Sequence, residues 1–378
     1  MRCLFVTAYD HFYGKSGGGA ATRALKARFD DVLGADSVDV CCFDGWCQSL
    51  PRRLKQVLSI GRSLVSDLPS RSAFILPIGV RRELARAIAR HHPDLVVING
   101  GDVWPVIDAV PAGLPTIVIA HNVELLLMRD QVENLTGIEA VLRPVLRRDV
   151  DNLRRLEDAA AVRAGNVLSI SADDAGYFRD LADGMNVTTF LPTFDYPAFA
   201  REEKPRQRPL HVGYMAKMTW WPNRQGADWF ADRVLAKLPE TQIVAHFYGA
   251  GSEVFAGRRS NLQVHGFVDD LSEIWRTCDL MICPIQAGSG VNIKFVEALY
   301  NRMPVLATRL AARGIPPIED AGVVYLDRPE EWVEFLASPR ALETAAGSVS
   351  ADISDRFRPE AQRRHIADFV DAVMARTG

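Results

Sequence analysis

The residue types best suited to phosphate and sugar chemistry sit in CPIQAGSGVNIKFVEALYNRMPVLAT, residues 283–308. An apolar run ends at Cys283-Pro284, and Gly288-Ser289-Gly290 form a loop. A helical pattern then runs from about Asn292 to Tyr300, before Met303-Pro304 and a further apolar run at Val305–Thr308. The unpaired N–H groups of such a loop and helix start, around Val291, suit a diphosphate. Lys294, in the first helical turn, adds a full positive charge. Glu297, three residues on, lies on a neighbouring part of the same face. A carboxylate there can accept two hydrogen bonds from a ribose diol. The plain alternative is a Lys294–Glu297 surface ion pair, worth a few tenths of a kcal/mol at about the exposed-pair level.

Two further glycine stretches are weaker. In TAYDHFYGKSGGGAATRALKARF, Gly17, Gly18 and Gly19 open a helical pattern that continues through Ala24, Leu25 and Phe29. Glycine lets backbone N–H groups approach an anion closely, but a flexible turn explains the triplet equally well. In HFYGAGSEVFAG, Gly249 and Gly251 follow an apolar run, and the third glycine of a dinucleotide fingerprint would fall at Val254. An NAD-dependent oxidoreductase loses its best motif there. His121 ends another apolar run, in Ala120-His121-Asn122, with Glu124 close behind. A lone histidine is often structural, yet strand C-termini are where ligands bind in open α/β sheets.

The elements that would hold these residues are short apolar runs alternating with helical patterns. Strands are predicted at Arg2–Thr7, Leu95–Asn99, Thr116–Ala120, Asn166–Ser169, Leu210–Val212, Ile243–Tyr248, Leu262–His265, Leu280–Cys283, Val305–Thr308 and Gly322–Tyr325. Most are apolar throughout, as parallel strands buried on both faces are. The alternation predicts an α/β class of two Rossmann-like, doubly wound parallel sheets. At 378 residues the chain is long enough for two or three domains. Leu191–Leu210, with four prolines and a dense charge cluster, reads as the linker between two halves, whose cleft would take ligands.

Charge excludes some partners and leaves one question. Forty-four basic and 47 acidic residues give a net charge of -3, spread evenly over the halves, so no dominant nucleic-acid footprint is present. Six cysteines without a C-x-x-C pair make no disulfide scaffold or zinc site. The apolar stretch Cys3–Ala8 is too short for a signal-peptide core, and no run approaches a membrane span, so a cytoplasmic protein is expected. Pro51–Arg90, however, holds nine basic and two acidic residues, a net of +7. Leu54, Val57, Leu58, Leu64, Val65 and Leu68 recur there at helical spacing, with Arg52, Arg53, Lys55 and Arg62 mostly opposite. The ordinary reading is a surface helix whose apolar stripe faces its own core. The rival is peripheral contact with the inner face of an anionic membrane.

Five segments in order, AHNVELLLMRD, DNLRRLEDAAAVRAGNVLSISADDAGYF, VGYMAKMTWWPNRQGADWF, NLQVHGFVDDLSEIWRTCDLMICPI and GSGVNIKFVEALYNRMPVLAT, resemble segments of the family-4 (group 1) glycosyltransferases. These are retaining nucleotide-sugar enzymes of the GT-B fold. The resemblance covers nearly the whole chain and is strongest in its second half. It implies an acceptor-binding domain over 1–195, a nucleotide-sugar domain over 196–355, and a C-terminal helix over 356–378 returning to the first domain. It implies transfer from a nucleotide-diphosphate sugar to a saccharide, lipid-linked saccharide or other acceptor, in polysaccharide or glycoconjugate biosynthesis. The sequence has no aspartate motif demanding a metal, so metal-independent chemistry without a further cofactor is expected, and the resemblance implies front-face substitution with the leaving phosphate as base.

Position by position, Glu297 matches the second glutamate of the family's E-x7-E motif and would hold the ribose. The first glutamate is replaced by Ser289, a departure that bears on donor identity and leaves Gly288, Ser289 and Gly290 to make the contact. Lys294 matches a basic residue that neutralises the leaving diphosphate. Where many members carry an arginine, this chain has Tyr214, with Lys217 three residues on as a substitute. Gly266, Phe267 and Val268 match the loop that reads the base. His121 matches a histidine near the anomeric centre, with Asn122 and Glu124 to orient it or touch the acceptor. Gly17, Gly18 and Gly19 match the loop facing the diphosphate and acceptor. A GT-B epimerase or phosphorylase, or a non-catalytic nucleotide-sugar-binding partner, is the alternative.

Overall fold

The computed structural model describes residues 1–8, 12–13, 17–43, 52–66, 68–133, 143–288 and 290–376. The chain divides into two compact units: Met1–Thr193 with Gln362–Gly378, and Phe194–Ala361.

The first unit is built on β1 (Cys3–Ala8), β2 (Val38–Phe43), β3 (Leu95–Asn99), β4 (Thr116–Ala120), β5 (Asn166–Ser169) and β6 (Asn186–Thr189), all parallel in the order β2-β1-β3-β4-β5-β6. The second uses β7 (Leu210–Met215), β8 (Ile243–Tyr248), β9 (Leu262–Gly266), β10 (Leu280–Cys283), β11 (Val305–Ala307) and β12 (Val323–Tyr325), parallel in the order β12-β11-β10-β7-β8-β9. The central strands β1, β3, β4, β5 and β10 are buried along their whole length, which is why they read as unbroken apolar runs. Leu4, Val96, Ile98 and Val118 seed the first core; Val212, Phe230, Phe247, Leu280 and Trp332 seed the second.

Two strands are absent from the sequence prediction, β2 and β6, and both are sheet edges. Their burial is broken or partial, and β6 reads Asn-Val-Thr-Thr. An edge strand needs only one covered face, so no apolar run announces it. The stretch predicted as a linker is coil, but it packs along the second unit. Arg201 donates to the carbonyls of Asp279, Ala345 and Gly347, and the backbone N–H of Phe199 donates to Asn301. The closing helix Pro359–Ala375 buries Ile366, Phe369, Val370 and Val373, and from Gln362 onward it belongs to the first unit. The side chain of Gln362 accepts the backbone N–H of Leu191 at 3.2 Å.

One reading of the +7 segment is corrected. Leu54, Val57, Leu58, Leu64 and Val65, on the helix Arg52–Val65, are exposed, while Lys55, Ser59 and Ser63 are buried. The physical reason is that the inward side found polar partners. Lys55 lies 4.3 Å over the Phe74 ring, Arg62 donates to the carbonyls of Ala73 and Leu76, and Ser63 donates to Asp149.

Candidate functional site

In each sheet the strand order reverses at one place, and ligands of open α/β folds bind outside the strand C-termini there. In the second sheet that place is between β7 and β10, and the predicted donor residues come from the segments that leave it. The helix Trp221–Trp229 follows β7, and the helix Ile293–Tyr300 follows β10 and its glycine loop. The first of these helices lies so close to the chain leaving β10 that Gly226 is required: a Cβ there would lie 2.6 Å from the Pro284 carbonyl oxygen. Gly288 and Gly290, at φ of 127° and 74°, take conformations that favour glycine and shape the loop. Ser289 lies outside the described residues. The Gly288 carbonyl accepts from Arg313 at 2.8 Å.

Lys294 is half-buried, and its Nζ donates to Asn223 Oδ1 at 2.8 Å and to Asn292 Oδ1 at 3.1 Å. Both partners are neutral amides, so its charge is held but not cancelled. Burial pulls its pKa down from 10.5 to about 8. Asn223 also donates to the Lys217 carbonyl at 3.0 Å and so ties the loop after β7 to the helix after β10. Lys217 itself has an exposed side chain; its backbone, rather than its ammonium group, belongs to this network. Tyr214, at the position matched to the family's arginine, is fully buried and donates to the Asn223 carbonyl at 3.2 Å.

Glu297 takes a different partner from Lys294. Its Oε1 accepts the Tyr196 hydroxyl at 2.7 Å, and burial pushes its carboxyl up from 4.5 to about 7. Tyr196 is held in turn by Asn301, which donates to its hydroxyl at 3.3 Å, and by Tyr300, whose hydroxyl donates to its carbonyl. The residues expected to read the base follow β9. Gly266 has φ 69° and donates its N–H to Ser252, Phe267 is 53% exposed, and Val268 is half-buried. Val291 is half-buried at the helix entrance.

The first sheet reverses between β1 and β3. Asn99 ends β3 and connects four elements. Its Nδ2 reaches Thr7 of β1 and Thr22 of the helix Gly17–Leu33, both at 3.3 Å, and its Oδ1 lies 2.8 Å from His121 Nε2, just beyond β4. Gly17, Gly18 and Gly19 begin that same helix. His121 is thus held by Asn99, a partner that the sequence reading did not name beside Asn122 and Glu124. Those two bond to each other, Asn122 Nδ2 to Glu124 Oε1 at 3.2 Å, and Glu124 is buried. Its other oxygen pairs with Arg71 at 2.7 Å, and Arg71 also reaches Asp102 at 2.9 Å. Glu124 is therefore committed to a structural network. Glu157 accepts the N–H groups of Glu124 and Leu125, and burial, then the nearby Glu124 charge, pushes it up to about 8.

Asn99, Tyr196 and Asn223 were missed by sequence reasoning. Asn99 carried the signal that singled out His121, a polar residue closing an apolar strand. Tyr196 was hidden in the stretch read as a linker, and Asn223 has no distinguishing spacing. Because Asn99 is fully buried and holds three side chains, Asn99→Leu is expected to destabilise the first unit by about 2 kcal/mol through orphaned buried partners. Thermal unfolding with and without the change checks this, and an unaltered transition would remove Asn99 as the organiser of the His121 site.

Two all-parallel six-stranded units, each with polar and glycine-rich segments at its strand C-termini, have the fold of GT-B structures. Within the chain, residues 209–338, all in the second unit, match the family model for Glycosyl transferases group 1. The fold matches the Anabaena protein Alr3699/HepE, solved with UDP, at TM-score 0.63 and 16% identity over 98% of this chain and 100% of that one. It matches sucrose-phosphate synthase from Thermosynechococcus elongatus at TM-score 0.67 and 12% identity over 99% and 100%. The match to TarM, at TM-score 0.58 and 12% identity, covers 77% of this chain and spans 58% of that one. No curated protein matches the sequence. The fold of the whole chain is that of GT-B structures, and the family match lies within residues 209–338.

Proposed function

We propose that the protein transfers a sugar, with retention of anomeric configuration, from a uridine-diphosphate sugar to a saccharide or lipid-linked saccharide. The observation that carries this is Lys294: a half-buried ammonium group, held by two neutral amides, at the switch point of the second sheet. A diphosphate leaving group develops negative charge as the anomeric bond breaks. A cation fixed in advance beside a helix N-terminus stabilises that charge without reorganising. Glu297 takes the ribose, Gly266–Val268 the base, and Gly288–Val291 the phosphates and sugar. In this reading the protein's own groups supply the electrophilic charge, with no metal or cofactor.

The first unit takes the acceptor. His121, oriented by Asn99 at 2.8 Å, is assigned to the sugar side of the reaction, and the Gly17–Gly19 helix start to the anionic groups near it. The uracil choice draws on the Anabaena relative, whose structures hold UDP, UDP with glucose, and UDP-glucose.

A thermal-shift comparison of UDP, GDP, dTDP and ADP tests the donor. A ligand that binds only the folded state at a hundred times its Kd stabilises by about 2.7 kcal/mol. UDP is expected to raise the transition and the purine diphosphates to leave it nearly unchanged. A larger shift with GDP or ADP would overturn the uridine assignment, and no shift with any of the four would overturn the donor site.

A further inference from the structure

The helix Arg52–Val65 is laid on the first unit with its apolar side outward. Leu54, Val57, Leu58, Leu64 and Val65 are all exposed, Val57 to 65% and Val65 to 86%. With Gly61, where a Cβ would meet nothing within 4 Å, they occupy positions 54, 57, 58, 61, 64 and 65, one continuous helical face. Fourteen residues at 1.5 Å each make a ridge about 21 Å long. Ile78, 79% exposed, follows the turn whose carbonyls Arg62 holds. Soluble surfaces scatter single apolar residues but seldom align five along one helix.

Cations accompany this ridge. Leu64 shares a small cavity lining with Arg148, and both Arg147 and Arg148 are exposed. Beyond Ile78, Arg81, Arg82, Arg86 and Arg90 are exposed on the helix Val80–His91. Of the segment's net +7, Lys55 is buried and Arg62, Arg71 and Arg81 are held by partners in the first unit, so among the described residues the exposed charge here is that of Arg82, Arg86 and Arg90 with Arg147 and Arg148. That charge argues against a second copy on the ridge, since pairing two such faces would bring like charges together. It favours an apolar layer beneath a negatively charged surface.

We propose that the exposed face of Arg52–Val65 docks the protein on an anionic phospholipid bilayer, in the plane of the interface. Leu54, Val57, Leu58, Leu64, Val65 and Ile78 enter the acyl boundary while the neighbouring arginines meet lipid phosphates. No helix among the described residues is long and apolar enough to cross a membrane, so the contact is peripheral. This inference does not depend on the donor assignment, because it uses no residue of the second unit.

The experiment is flotation of the full chain with phosphatidylcholine vesicles made with and without phosphatidylglycerol, at low and high salt. Wild-type protein is expected to float with the anionic vesicles, less so as salt rises. The double variant Val57→Asp/Val65→Asp should lower vesicle affinity about tenfold or more, since it places charge in the acyl boundary. Both side chains are more than half exposed, so its thermal unfolding should be unchanged. Arg148→Glu should weaken binding at low salt only. The proposal is overturned if wild-type protein ignores anionic vesicles at low salt, or if the double variant binds as well as wild type. It is also overturned if wild-type protein is a dimer that the double variant dissolves while neither binds vesicles, for then a second copy covers the ridge.

Discussion

Replacing Lys294 by methionine is expected to lower turnover with the matched donor by about a hundredfold or more, the scale seen when one preorganised charge-stabilising donor is removed. The effect should fall on kcat more than on KM, because the charge on the diphosphate grows as the anomeric bond breaks. The fold should survive: Asn223 keeps its bond to the Lys217 carbonyl, and only the Oδ1 atoms of Asn223 and Asn292 lose a partner. The pH profile provides the sharper test. Burial holds Lys294 near 8, so the free enzyme carries this charge below that pH and loses it above. With Glu297 pushed up to about 7, the carboxylate proposed to accept the ribose hydroxyls forms as pH rises through that value. The profile of kcat/KM should therefore be a narrow bell between about 7 and 8. Lys294→Arg keeps a full charge to far higher pH and should abolish the alkaline limb, whatever it does to the plateau. Glu297→Gln should abolish the acid limb. Wild-type kcat in Lys294→Met, or an alkaline limb that persists in Lys294→Arg, would remove Lys294 from the reaction.

Why this site was partly readable in sequence is a matter of local against long-range order. Lys294 and Glu297 lie on one short helix beside glycines that need a positive φ, so residue type and spacing along a single element expose them. The central strands were readable for a similarly local reason: burial on both faces makes each an apolar run. The partners that give Lys294 and Glu297 their character come from far along the chain. Asn223 is 71 residues from Lys294, and Tyr196 is 101 residues from Glu297. No period links positions so distant; only the parallel crossover topology brings them together. The helix Arg52–Val65 shows the same limit from the other side. Its periodicity marked an apolar face correctly, but which way the face points was decided by Asp149, by Phe74 and by the carbonyls of Ala73 and Leu76, none of them on that helix.

Gly249→Ala is expected to have the largest effect on stability, and its cause lies in the same topology. Gly249 follows β8 with φ 110°, a conformation L side chains rarely adopt. A Cβ there would press into the carbonyl of Ala216, with the carbonyl carbon at 2.8 Å, nearer than real Cβ contacts come. The obstacle is backbone at the end of β7, in the segment that leads to Lys217 and Asn223, and it cannot rotate away. The N–H of Gly249 also donates to the Gly266 carbonyl at 2.6 Å, so displacing it disturbs the loop after β9 as well. Strained φ and backbone overlap together should destabilise the second unit by about 3 kcal/mol or more. For a unit of this size that corresponds to a fall in Tm of roughly 6–12 °C. Gly257→Ala is the matched control: its φ is 72°, but a Cβ there meets nothing within 4 Å. It should show the conformational penalty alone, about 1–2 kcal/mol. Equal losses for the two variants would mean that the backbone contact between the loops after β7 and β8 contributes nothing. A large loss at Gly249 only, with UDP no longer shifting the transition, would tie the packing of these loops to donor binding.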